Sequence, residues 1–518
     1  MPRTSPNVIL IYADDLGRGM LSFYGQRHFQ TPNIDRLGRE GMQFDQVYGC
    51  SLCAPARASL ITGIHDCHRG GYTFTSAGIY DRFTEGRMTL GEIDEVLQSV
   101  SHQPDRDDRF LGELFQEAGY VTGQIGKLEW GFATSDADIR RHGWDYHYGY
   151  YDHQQCHGFY PPYVFENGAP VRIEGNTHVD CGKAPQNESP ENLEKRWDSE
   201  GCAVYSQDLF DDKIVEFLDR HENEPFFLFH PTQLPHGPIR VPAVHPDVKD
   251  HPELTQYEKE WASMILRLDQ TVGLILDEIQ KRGLEENTLI LFTSDNGHQP
   301  YYRQELTGRM DPARNLQTGE VYDGVRTKFY SELSGDVFDG NDGMAGLKFS
   351  NWEGGIRLPF LARWPGGIPA GSTSQRMISN YDFMPAMAEL LGKSMPPGKD
   401  GISYAATLRD PEITGPAGRH VVVASHLGPA LIDSSGWKLK MIRQPKNFHY
   451  QLYHLPTDPR EENDVCHEPD NREVVVRLST LLMRECDGNT LFGTPEAHRV
   501  MPPGFCYVGP ECSWQMSK

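Results

Sequence analysis

The sequence predicts an α/β fold: a large, mostly parallel sheet sandwiched by helices, then a smaller C-terminal α+β domain with an antiparallel sheet. Three observations lead there. Continuously apolar runs recur at 8–12, 120–125, 225–229, 288–292 and 358–363, the pattern of strands buried on both faces. Segments with helical spacing lie between them. Near Lys393 the alternation stops, and short apolar stretches separated by turns take over.

Taken in order, Val8-Ile9-Leu10-Ile11-Tyr12 is the first strand, bounded by turn residues. Pro55 suits the first turn of a helix, where its missing N–H has no intrahelical partner. That helix continues over 56–62 and ends at Gly63. Further helices are predicted at 111–118, 207–219 and 257–281; in the last, Met264, Leu268, Val272 and Ile275 keep helical spacing. Beyond Lys393, stretches 420–424, 437–442 and 450–455 read as strands and 472–486 as a helix. The resulting division is 1–395, 396–492 and a Pro-, Gly- and Cys-rich tail, 493–518. Polar insertions at 65–108 and 299–345 are expected to shape access to a ligand.

The chain has 518 residues. At about 150 residues per domain three units would be expected, but large α/β domains exceed that figure and two are preferred. It carries 49 basic against 73 acidic residues, a formal charge of −24. That field disfavours nucleic acid and long polyanions, so an anionic substrate needs a local basic pocket. No apolar run approaches the roughly 18 residues of a membrane span. Met1 to Pro6 contains no signal-peptide core, so a cytoplasmic protein is expected unless a leader has been removed. Among ten cysteines, Cys50 and Cys53 share C-x-x-C spacing, which admits a redox reading, although their flanks do not resemble a thioredoxin unit. Cys506 and Cys512 are expected to be thiols in a reducing compartment.

Chemistry-bearing residues follow the predicted strands. Asp14 and Asp15 follow the first, Gly126-Lys127 the second, Pro235-His236-Gly237-Pro238 the third and Ser294-Asp295-Asn296-Gly297 the fourth. Ligands of open α/β sheets bind beyond the carboxyl ends of the strands, so one rim gathers these groups. Asp14, Asp15, Asp295 and Asn296 offer only hard oxygen atoms, favouring Ca²⁺ or Mg²⁺ over zinc. Either pair alone also reads as turn chemistry. Cys53, at a predicted helix N-terminus, lies where anions are attracted. The same position would lower a thiol pKa, so an unmodified reactive cysteine competes with a buried structural one. His65, His68, Arg69, Tyr151, His153, Gln154, His157, His298 and Arg303 are further pocket candidates.

Cys53-Ala54-Pro55-Ala56-Arg57 reads C-x-P-x-R and resembles the maturation motif of type I sulfatases. Asn7 to Gly17, Thr31-Pro32-Asn33-Ile34-Asp35-Arg36-Leu37, Thr293 to Gly297 and Trp352-Glu353-Gly354-Gly355-Ile356-Arg357-Leu358-Pro359 carry the likeness further. Leu452-Tyr453-His454-Leu455 with Asp458-Pro459 extends it late into the chain. Over nearly its whole length the sequence is similar to formylglycine-dependent sulfatases, the arylsulfatase A-like branch of the alkaline phosphatase superfamily.

The resemblance implies that a formylglycine-generating enzyme oxidises Cys53 to an aldehyde, which hydrates to a geminal diol. It implies that Asp14, Asp15, Asp295 and Asn296, with an oxygen of modified Cys53, hold a divalent cation, usually calcium. Arg57 and Lys127 would neutralise sulfate oxygens. His236 and Lys348 would contact and protonate the leaving oxygen, and Asp295 could accept the nucleophile's proton. One departure stands out. Relatives commonly carry G-K-W-H or G-K-W-G, whereas this chain reads Gly126-Lys127-Leu128-Glu129-Trp130-Gly131. Glu129 thus stands where many relatives place a histidine that helps expel sulfate. It is expected to act as that base or to bind substrate, unless the local alignment shifts by two residues. The implied function is hydrolysis of a sulfate ester of a small mono- or oligosaccharide. The alternatives are a phosphodiesterase or phosphonate monoester hydrolase of the same superfamily, and an inactive binder of sulfated glycans.

Overall fold

A computed structural model describes residues 6–68, 78–100, 109–177, 199–303, 317–319, 328–425, 427–443 and 448–486. Its larger sheet is built from β1 (Asn7–Ala13), β2 (Met42–Phe44), β4 (Val121–Gly126), β5 (Tyr146–Gly149), β6 (Tyr163–Glu166), β7 (Ala169–Arg172), β8 (Phe226–Pro231), β9 (Thr288–Ser294), β10 (Phe360–Arg363) and β11 (Ser372–Ser374). A small parallel pair joins β3 (Val47–Tyr48) to β12 (Ile378–Ser379). The ten strands run in the order β11-β2-β10-β9-β1-β8-β4-β5-β6-β7. From β9 through β1, β8 and β4 to β5 every pairing is parallel. Antiparallel pairing begins at β10 on one side and β6 on the other.

The apolar runs are central because both faces are covered. Ile9, Ile11 and Ala13 face one core layer, while Val8, Leu10 and Tyr12 face the other, as the two-residue side-chain period of a strand requires. The helix Gln256–Lys281 covers the first layer with Met264, Leu268, Val272 and Ile275. Thr255 and Glu258 close a capping box at its start, satisfying N–H groups that the first turn cannot. Across the sheet the helix Phe383–Leu390 contributes Phe383, Met384 and Met387 to the second layer. The outer strands β2, β5, β6, β7 and β11 escape the sequence reading because they are short and lack long apolar runs. The predicted strand at 358–363 starts only at Phe360.

The last sheet is antiparallel, in the order β13 (His420–Val423), β14 (Ala430–Asp433), β15 (Trp437–Arg443) and β16 (Phe448–His454); β14 is the strand the sequence did not suggest. The helix Arg472–Glu485 packs Leu478 and Leu482 against Leu431, Leu439 and Leu452. The same cluster includes Leu52 and Ala54, at the start of the Cys53 helix. The small sheet therefore backs the segment that presents Cys53. Among the described residues, no helix is long and apolar enough to cross a membrane.

Candidate active site

Leu52 is extended, with φ −159° and ψ 167°, and the helix begins at Cys53, running to Thr62 with Gly63 left-handed beyond it. The start lies three residues before the predicted 56, and Pro55 remains in the first turn. All ten helix residues are buried. Burial pushes the Cys53 thiol pKa up, despite Lys127 and Lys348 nearby. Burial thus disfavours the rival reading of an unmodified reactive thiolate. Cys50 instead sits 3.6 Å from Ser59 Oγ and 3.8 Å from Asn380 Nδ2.

The rim forms where β1 and β9 end side by side. The Asp15 N–H donates to Asp295 Oδ1 at 3.0 Å, and Asn296 Nδ2 to Asp15 Oδ1 at 2.8 Å. Asp15 adopts φ +64°, a left-handed conformation that costs energy in a non-glycine residue and recurs at functional sites. Gly297 is required behind it, since a Cβ there would lie 2.0 Å from Gly354 O. Cys53 Sγ, the position from which an oxygen of a modified residue would project, lies with carboxylate oxygens of Asp14 and Asp295 inside a 4.8 Å cluster.

Four basic side chains surround these acids. Arg57 donates to Asp295 Oδ2 at 3.0 Å and to Leu128 O at 3.1 Å. Lys127 pairs with Asp14 Oδ2. It follows Gly126, whose φ of +136° and 2.3 Å Cβ approach to Pro231 O exclude a side chain. Lys348 donates to Asp15 Oδ2 at 2.7 Å and lies 3.1 Å from His236 Nε2. His236 follows β8, its Nδ1 donating to Gly237 O at 2.5 Å; Tyr301 Oη stands 3.1 Å from its Nε2.

The charges are strongly coupled through burial. Burial opposes ionisation of Asp14, but the Lys127 ammonium outweighs it and holds the carboxyl well below its usual range. Asp295 goes the other way: burial, then Asp14, push it up to about 8. Burial opposes the charges of Lys127 and Lys348, yet Asp14 and Asp15 raise both pKa values. Burial, reinforced by Lys348, lowers His236 to about 3, so its ring is neutral near pH 7. In the His236–Lys348 pair the lysine carries the proton.

A divalent cation fits this cluster. Asp14 Oδ1 and Asn296 Oδ1 are buried without a hydrogen-bond partner, which is costly unless something fills that role. The raised Asp295 pKa marks a carboxylate group short of positive charge. All four side chains offer hard oxygens to an ion.

Glu129 is the main departure. It is fully buried, its two oxygens taken by His142 Nδ1 at 2.5 Å and Trp144 Nε1 at 2.6 Å. The base or substrate contact expected at this position is corrected: Glu129 braces the segment before β5 and makes no contact with the acid cluster. His157 stands beside Lys127 instead. Its Nε2 lies 3.2 Å from Lys127 Nζ, and its ring stacks on His236 with centroids 3.8 Å apart. The cue in the sequence is Tyr151 to His157, which carries two of the pocket candidates, His153 and His157; spacing alone could not choose between them. His153 packs edge-on against His157 at 4.3 Å.

The other pocket candidates scatter. His65 and His68 gather on Asp400, Tyr151 stacks on Phe165 and Gln154 reaches Asp81. His298 meets Tyr302. Arg69, the Arg303 side chain, Cys506 and Cys512 lie outside the described residues.

Comparison with known proteins gives the family and the fold. The sulfatase family model matches residues 6–393, and one described as N-sulphoglucosamine sulphohydrolase, C-terminal, matches 347–487. An N-acetylgalactosamine-6-O-sulfatase of Bacteroides thetaiotaomicron is 28% identical, covering 92% of each chain. The N-acetylgalactosamine-6-sulfatase of Canis lupus familiaris is 30% identical over 79% of this chain and 67% of its own. A Bacteroides thetaiotaomicron structure from work on metabolism of multiple glycosaminoglycans superposes with TM-score 0.67 at 24% identity, covering 94% of this chain and 100% of its own. Ps i-CgsB in complex with k-i-k-neocarrahexaose gives 0.67 at 23% identity, covering 96% and 98%. The structural likenesses speak to the fold; the family match, over most of the chain, speaks to descent. The chain belongs to the sulfatase family, as a type I sulfatase of the alkaline phosphatase superfamily and thus a sulfuric ester hydrolase.

Proposed function

We propose that this sulfatase removes sulfate from a small sulfated sugar, using formylglycine made from Cys53 and a calcium ion held by Asp14, Asp15, Asp295 and Asn296. The observation that carries the reading is the convergence of Cys53 with buried oxygen donors on a rim ringed by Arg57, Lys127, His236 and Lys348. Relatives named for N-acetylgalactosamine-6-sulfate make a hexosamine 6-sulfate the first substrate to try. When bound, the cation supplies Lewis acidity and the formylglycine supplies a hydrated aldehyde as nucleophile.

The residues then divide by side. Arg57 and Lys127, fixed on Asp295 and Asp14, put two positive charges where sulfate oxygens would sit, stabilising charge as the S–O bond breaks. Lys348 holds a proton 3.1 Å from the neutral His236 Nε2, a pair suited to delivering a proton to a departing sugar oxygen. Asp295, whose Oδ2 is held by Arg57, is the candidate acceptor for the nucleophile's proton.

The test is a substrate panel. Protein co-expressed with a formylglycine-generating enzyme, with conversion at Cys53 checked by peptide mass spectrometry, is assayed on hexosamine 6-sulfates, 4-nitrophenyl sulfate and bis(4-nitrophenyl) phosphate. Sulfate release that requires converted Cys53 supports the reading. Faster phosphodiester cleavage would replace it with the phosphodiesterase alternative, and full activity with unconverted Cys53 would remove the nucleophile.

A further inference from the structure

We propose that His157 is a positioning residue of the sulfate site: it holds the Lys127 ammonium and the His236 ring, in the place left empty by Glu129. This rests on the sulfate-ester reading above. Three observations carry it. Glu129 cannot serve, because both of its oxygens are committed to His142 and Trp144. His157 enters from another part of the chain, on the short helical turn Gln155–His157, and is only 2% exposed. It also touches two of the basic side chains that ring the acid cluster. Its Nε2 faces Lys127 Nζ at 3.2 Å, and its ring lies parallel to His236 within 5°.

The contact chemistry fixes the role. An ammonium only donates, so His157 Nε2 accepts from Lys127 and the ring proton rests on Nδ1. Lys127 is then held between an anion, Asp14, and a neutral acceptor, His157. Its third N–H remains available for a sulfate oxygen. Tyr301 also lies against His236, with ring centroids 5.2 Å apart, and its Oη stands 3.1 Å from the Nε2 that meets Lys348.

The experiment compares wild type, His157→Ala, His157→Gln and Glu129→Gln, all with Cys53 converted. Readouts are kcat and KM on 4-nitrophenyl sulfate, competitive inhibition by inorganic sulfate, and thermal melting. His157→Ala is expected to lower kcat by about 10²-fold, the scale of a misplaced reacting group, and to weaken sulfate inhibition. His157→Gln keeps an oxygen acceptor for Lys127 and is expected to recover part of kcat. Glu129→Gln is expected to keep kcat within threefold while melting lower. The proposal is overturned by His157→Ala at wild-type kcat and unchanged sulfate inhibition, or by a fall in melting temperature with kcat per folded enzyme unchanged. It is also overturned if Glu129→Gln shows the kinetic loss instead. Wild type that releases no sulfate from any ester overturns the functional reading itself, and this proposal with it.

Discussion

At the scale of single residues, the site separates groups by what burial does to them. Burial lowers the His236 pKa to about 3, whereas Lys348, held by Asp15, keeps its charge. On the proposed function, the lysine is therefore the member of this pair that carries a proton to give. Lys348→Ala is expected to cost about 10²–10⁴-fold in kcat on a sugar sulfate, whose alcohol is a poor leaving group. On 4-nitrophenyl sulfate, whose phenolate needs little help, the loss is expected to shrink to less than about tenfold. Steady-state assays on both substrates check this; equal losses on the two would reassign Lys348 to sulfate binding. Glu129 shows the opposite outcome. Its residue type and spacing pointed at the chemistry, but His142 and Trp144 recruit it into structure. Nothing in the local sequence reveals this, because both partners lie more than a dozen residues downstream.

At the scale of elements, strand ends do the placing, and small residues permit it. Gly126 closes β4 with φ +136°, and an added Cβ would stand 2.3 Å from Pro231 O. Gly126→Ala is expected to shift Lys127 away from Asp14, lowering kcat at least about 10²-fold and lowering the melting temperature. Wild-type kinetics in Gly126→Ala would show that β4 tolerates the shift. The Arg472–Glu485 helix is anchored differently, through its last carboxylate. His420 Nε2 lies 3.4 Å from Glu485 Oε1 and His65 Nε2 lies 3.9 Å from Oε2. The neighbouring His420, then His65, hold the Glu485 carboxyl well below its ordinary range. A depressed carboxyl stabilises the fold above its unfolded pKa, about 4.3, and loses that contribution as pH falls toward the folded value. Solvent screening keeps the effect below about 1 kcal/mol. Glu485→Gln is therefore expected to melt slightly lower than wild type at pH 7, with the two curves converging in acid; a gap that widens below pH 4 contradicts the clasp. The central strands β1, β4, β8 and β9 were legible in sequence because apolar runs have no other comfortable home. The outer strands and β14 were not, being short and held by register with neighbours rather than by their own composition.

At the scale of the whole molecule, the acids come from segments 280 residues apart and meet only once β1 and β9 pair. Sequence reading could gather Asp14, Asp15, Asp295 and Asn296 on one rim, since strand order in such sheets leaves few alternatives. It offered His157 only as one pocket candidate among nine and could not single it out, because its approach depends on how the segment after β5 returns over the rim. The same long-range closure links metal binding to stability. The unfolded chain holds these four ligands far apart, so a cation binds the native state preferentially and stabilises it in proportion to the logarithm of its concentration. At free calcium of 100 times its dissociation constant the gain is about 2.7 kcal/mol. Wild type stripped with chelator is expected to melt lower than the same protein with calcium restored, whatever the state of Cys53. Asp14→Asn keeps the side chain's size but removes its charge, and is expected to abolish most of the calcium-dependent shift. It also relieves crowding around Asp295, so its metal-free form need not be less stable than metal-free wild type. Differential scanning calorimetry of both proteins, with and without calcium, separates these effects. Coincident melting curves for stripped and calcium-loaded wild type would mean that the buried oxygens of Asp14 and Asn296 are satisfied by something other than the ion.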